Sequence, residues 1–202
     1  RYDNDLAQAA RHFERALQLE PSNRDIIGNA AVLLHTLGRL DAAIAAGEYV
    51  AARDPVNPTS HYNLAATYLT ADRWDEAIAS YDTTLRLSPG YIGAHYGKGV
   101  ALLFKGEPEA ALESIRQESS EALRLTGLTE VYHALGRTAD SDKALAELIE
   151  EHEKEWAFNI AYALAYRGEV DRAFEWLDKA VDYGDPGLLE ILSTHQFQSL
   201  HA

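Results

Sequence analysis

Between His61 and Leu69 the apolar residues Leu64, Ala65, Tyr68 and Leu69 recur at helical spacing and fall on one face. Asp72-Arg73 interrupts the pattern. A second apolar face follows at Ala77, Ile78, Tyr81 and Leu85, and Pro89 closes it, because proline disfavours helix in the residue before it. The segment therefore predicts a helical hairpin. At the position of Asp72, other parts of the chain carry Gly38, Gly106, Gly136 and Gly168, suited to the left-handed residue that commonly ends a helix. Asp41, Asp75 and Asp171 stand where second helices begin, and there a carboxylate suits free N–H groups and the helix dipole. Ala65 and Ala77 are small enough for close helix approach; a leucine at either would overpack by roughly 1–3 kcal/mol.

The hairpin recurs. Ala9, Ala43, Ala77 and Ala111 are each 34 residues apart, as are Pro21, Pro55 and Pro89, and the turn series Gly38, Asp72, Gly106 keeps the same beat. A fixed period of this length marks a stacked repeat protein, which presents a surface more often than a reaction centre. The phase slips after Arg116. The turn glycines Gly106, Gly136 and Gly168 are spaced 30 and then 32, and no proline follows near Gln117 or Glu150. The expected organisation is a single domain over 1–202. It holds a half repeat at 1–23, repeats at 24–57 and 58–91, shortened repeats at 92–121 and 122–153, a full repeat at 154–187 and a tail at 188–202.

Leu64-Ala65, Tyr68, Ala77, Tyr81, Thr84 and Pro89 resemble, in order, the signature of the tetratricopeptide repeat family. The segment Ala9-x-x-x-Phe13-x-x-Ala16-Leu17-Gln18-Leu19-Glu20-Pro21 is similar to that family's second helix. The resemblance implies an all-α, right-handed alpha-alpha superhelix, a solenoid of helical hairpins. It also implies that the first helices line a concave groove holding a peptide or partner helix. The stripe opposite the packing residues of those helices carries the candidate site: Asp25, His35, Tyr62, Tyr96, Phe104, Glu130, His133, Phe158, Tyr162 and Tyr166. No Lys or Arg occurs in the stripe, and exposed aromatic clusters serve as recognition anchors. Some of these rings are equally expected to pack between neighbouring helices. One variant of the family grips the terminal carboxylate of chaperone tails with basic and amide residues. Asn63 matches it, but Gly28, Val32, Gly93 and Gly97 replace the other members, so that specialisation is not expected here.

Net charge is −14, from 32 acidic and 18 basic residues, which argues against nucleic acid, whose phosphates demand clustered Lys and Arg. An acidic groove favours apolar or basic partner segments. No apolar run approaches the roughly 18 residues a membrane span needs, and the absence of cysteine removes disulfides and thiolate metal sites. No metal or cofactor is expected. His61 and His95 hold one repeat position and read as half-buried packing rings. Glu151-His152-Glu153 lacks the second histidine four residues on that a zinc helix needs and reads as a solvated helix end. Gly97-Lys98-Gly99 lies inside a helix without the flanking residues of a phosphate loop, so Gly99 reads as the small residue at a tight crossing. Ser119-Ser120 lacks the glycines of a nucleophile elbow. Catalysis is therefore not expected.

Two functional classes follow: a non-catalytic scaffold binding a protein or peptide, and a regulatory or dimerising appendage of a larger signalling protein. The second draws on Ala173-Phe174-Glu175-Trp176-Leu177-Asp178-Lys179-Ala180, Asp185-Pro186-Gly187-Leu188-Leu189 and Phe197-x-x-Leu200. These resemble the closing repeats of bacterial proteins with winged-helix or cyclase-like N-terminal parts. The chain opens at Arg1 in mid-repeat and contains no methionine, so it is expected to be an excerpt of a longer protein. A cytoplasmic location is expected. Leu6, Ala9 and Phe13 at one end, and Leu188, Leu189, Ile191, Leu192, Phe197 and Leu200 at the other, are expected to leave apolar surface open to self-association.

Overall fold

The computed structural model describes residues 2–188. Eleven α-helices and no strand occur among the described residues. Leu189, Ile191, Leu192, Phe197 and Leu200, and the side chain of Leu6, lie outside them. Backbone contacts divide the chain into two compact units, Arg1–Pro89 and Gly90–Ala202.

The first unit holds α1 (Tyr2–Leu19), α2 (Arg24–Thr36), α3 (Leu40–Arg53), α4 (Pro58–Thr70) and α5 (Trp74–Leu87). α2 pairs with α3 and α4 with α5 as hairpins, α3 packs on α4, and α1 on α2. The periodic alanines sit at the crossings: Ala43 is 1% exposed and Ala77 fully buried, as is Ala65 opposite. The Tyr68 hydroxyl donates to Glu48 Oε1 at 2.6 Å, tying α4 to α3.

Each hairpin turn closes the same way. Gly38 and Asp72 adopt positive φ, 69° and 59°. The next N–H then reaches back to a first-helix carbonyl, Arg39 to Leu34 at 2.8 Å and Arg73 to Tyr68 at 2.9 Å. Asp72 is the one non-glycine residue in this conformation among those described. Asp41 and Asp75 lie in the first turns of α3 and α5, where a carboxylate complements the helix dipole, while the N-cap residues Arg39 and Arg73 make no side-chain cap bond. The first helices start differently. Asn23 Oδ1 accepts from the N–H groups of Asp25 and Ile26, and Asn57 Oδ1 from those of Thr59 and Ser60.

The second unit holds α6 (Ala94–Lys105), α7 (Pro108–Ile115), α8 (Glu121–Ala134), α9 (Thr138–His152), α10 (Ala157–Tyr166) and α11 (Val170–Tyr183). They pair as α6–α7, α8–α9 and α10–α11, and the first helices α6, α8 and α10 pack side by side. α7 is only eight residues long, which is the physical form of the phase slip. Its last residue, Ile115, is fully buried and wedges between two glycines. A Cβ on Gly99 of α6 would lie 2.4 Å from Ile115 Cγ1, and one on Gly127 of α8 would lie 2.9 Å from Ile115 Cγ2. Neither position has room for a side chain, so the expected tight crossing at Gly99 is one half of a two-sided socket.

Beyond Ile115 the chain turns inward and buries Glu118, which is 2% exposed. Its carboxylate accepts from the backbone N–H groups of Gly93 (3.1 Å) and Tyr96 (3.2 Å) at the start of α6. It also accepts from Ser120 N–H (3.0 Å), just before α8. Asp185, 7% exposed, does the same for α10, accepting from Phe158 N–H at 2.9 Å. In both hairpins a carboxylate after the second helix satisfies the start of the first.

Candidate interaction face on the first helices

In the first unit the candidate residues lie on α2 and α4. Asp25 is exposed in the first turn of α2. It lines a cleft of about 460 Å³ between α1 and α2 together with Ala9, Phe13 and Ile26. His35, near the end of α2, is half-buried, and its Nε2 lies 2.8 Å from Thr70 Oγ1 on α4. The Thr70 hydroxyl donates its proton to the Ala66 carbonyl. With that hydroxyl directed to Ala66, the contact fits a His35 ring that donates from Nε2. Burial holds its pKa below the usual 6.5. Tyr62 is half-buried and sets its ring edge-on to Tyr81 of α5, with centroids 5.7 Å apart. Val32, one turn before His35, is 42% exposed.

In the second unit the stripe splits. Glu130, Phe158 and Tyr162 are 0%, 3% and 5% exposed. Phe158 and Tyr162 belong to the apolar core between α8, α9, α10 and α11, and Tyr96 packs against that core. These residues pack rather than project, where α6, α8 and α10 lie side by side. Three others gather at the C-terminal ends of successive first helices. Tyr166 of α10 meets Phe104 of α6 at 6.2 Å and His133 of α8 at 6.3 Å, both edge-on. Phe104 and Tyr166 are half-buried and His133 is exposed. The Tyr166 phenol is pushed up to about 12, first by burial and then by the Glu130 carboxylate, so it stays protonated as a donor. The result is an aromatic patch over the buried Glu130 carboxyl group.

Residues 1–58, 62–122 and 130–187 match the family model described as Tetratricopeptide repeat, and residues 36–86 match a second model of the same description. The chain belongs to the tetratricopeptide repeat family. A curated relative is the tetratricopeptide repeat and J domain-containing co-chaperone DNJ1 of Cryptococcus neoformans, 31% identical over 124 residues. That match covers 59% of this chain and 24% of the relative, so the chain spans about a quarter of the relative's length. Among solved structures, a tetratricopeptide repeat protein of Parabacteroides merdae superposes with a TM-score of 0.65 at 19% identity, covering 98% of this chain and 84% of that one. A thermophilic member from Thermus thermophilus gives 0.66 at 23%, covering 87% and 91%. YrrB, described as a tetratricopeptide repeat protein with an unusual peptide-binding site, gives 0.55 at 20%, covering 90% and 96%. These likenesses establish the all-helical tetratricopeptide solenoid fold expected from the period. No described helix is long and apolar enough to cross a membrane. The capping roles of Glu118 and Asp185 are not evident from the sequence pattern. Their only signal is a carboxylate just past a second helix, where the 34-residue proline is missing or displaced.

Proposed function

We propose that this tetratricopeptide repeat chain is a non-catalytic scaffold that binds a protein or peptide on its first-helix faces, with Phe104, His133 and Tyr166 as the anchor. Family membership supports the scaffold reading. The observation that carries the finer one is the convergence of those three rings from three successive first helices. Rings of this kind supply binding energy without loss of much side-chain entropy. On the first unit, Asp25, Val32, His35 and Tyr62 form a second, more open contact surface. With net charge −14 and Glu130 beneath the patch, the partner segment is apolar or basic. A peptide array probed with the purified chain should retain apolar and basic sequences over acidic ones, and Tyr166→Ala should empty those spots. Preferential capture of acidic peptides would contradict the reading.

A second reading, a dimerising appendage of a larger protein, draws on α11, where Phe174 and Val181 are 49% and 64% exposed. Sedimentation equilibrium separates the two. A dimer abolished by Phe174→Glu supports the appendage; a monomer at high concentration leaves the scaffold.

A further inference from the structure

The three donors Glu121, Glu151 and His152 come together from two helices. Glu121 opens α8 and the other two close α9, so the cluster sits at the open end of one hairpin, opposite its turn. One ligand atom from each lies within 4.8 Å of the others. His152 Nε2 is buried and makes no hydrogen bond, with Glu121 Oε2 its nearest carboxylate oxygen at 3.9 Å. That gap is too long for a hydrogen bond and close to the separation of two ligands sharing a small cation at about 2.0–2.2 Å from each.

We propose that Glu121, Glu151 and His152 form a binding site for a divalent transition-metal ion of the zinc type. One imidazole nitrogen with two carboxylate oxygens suits a borderline cation; calcium and magnesium take all-oxygen shells. Glu121 is already oriented for the role. Its Oε1 faces Arg124 at 3.5 Å, which leaves Oε2 toward His152. Arg124 is itself held by the Glu118 carbonyl at 2.9 Å. Glu121 and Glu151 are exposed, so an ion can enter from solvent and keep water in its remaining positions. The spacing of Glu151-His152-Glu153 hides the site, because the third ligand comes from α8 and not from four residues along α9. A bound ion would fasten the first turn of α8 to the last turn of α9.

Isothermal titration of the chain with zinc chloride, in a non-coordinating buffer near neutral pH, tests this directly. The expected result is one ion per chain at submillimolar zinc, much weaker binding of magnesium, and a zinc-dependent rise in melting temperature. His152→Ala and Glu121→Gln should each weaken uptake by about tenfold or more. Glu121 is exposed, so its variant keeps the fold even if His152→Ala disturbs α9; circular dichroism checks both. No uptake by the wild-type chain would mean that a bridging water fills the gap, and the proposal fails. Uptake unchanged in Glu121→Gln would place the ion on other histidines, and the proposal fails equally.

Discussion

The helix starts of α2 and α4 are served by Asn23 and Asn57, each immediately before its own helix. Those of α6 and α10 are served by Glu118 and Asp185, each 22 to 27 residues away in sequence. The local caps belong to the repeating motif and keep its 34-residue beat. The remote caps replace the motif. Where the proline after the second helix is lost, α7 ends after eight residues and the chain folds Glu118 inside, with Gly93 taking up a left-handed φ of 86° before α6. A buried carboxylate accepting several N–H bonds is stronger than an exposed amide cap, but it concentrates the stability of one hairpin on one side chain. The first unit spreads its risk over small local devices. The second depends on a few buried groups.

That contrast can be broken most sharply at Ile115. Replacing it with alanine empties the socket between Gly99 and Gly127, and should cost about 2–5 kcal/mol. In hydrogen exchange the loss should appear in α6, α7 and α8 while amides of α2 to α5 stay protected, since each repeat depends on its neighbours. Uniform loss along the chain would argue against the contrast. The caps come next. Glu118→Ala strands buried N–H groups at α6 and should cost about 2–3 kcal/mol in urea unfolding. Asn57→Ala should cost only about 1 kcal/mol. Equal costs would mean that the remote cap is no more than a local one. At the turns, Asp72→Gly should stabilise by up to about 1 kcal/mol, because it relieves the one left-handed non-glycine residue described.

The smallest effect concerns pH. The His35 pKa is lowered in the folded chain, so below 6.5 the unfolded chain binds more protons and stability falls as pH drops toward the folded value. His35→Gln should remove that part of the slope on the acid side of 6.5 and leave the neutral side unchanged. An unaltered slope would mean that His35 is not held neutral by its burial.

Much of this was legible in the chain. The alanines, turn glycines and prolines repeat because each serves a neighbour a few residues away, and a local requirement leaves a periodic trace. Gly99 could be read as a close crossing for the same reason. Glu118 and Asp185 could not, because a cap reaching across a hairpin has no fixed spacing. The aromatic stripe was legible as a stripe, but its division was not. Phe158 and Tyr162 hold the same kind of position as Phe104 and Tyr166, and only the close approach of α8 to α10 decides which rings are enclosed.

The scaffold account rests on the Phe104–His133–Tyr166 patch, and chemical-shift mapping tests it most directly. A basic or apolar peptide selected on the array is titrated into isotope-labelled protein, wild type and Tyr166→Ala. The account predicts shifts concentrated at the C-terminal ends of α6, α8 and α10, and binding weaker by about 1–2 kcal/mol in the variant. Shifts confined to the outer faces of α7, α9 and α11, with affinity unchanged by Tyr166→Ala, would contradict it.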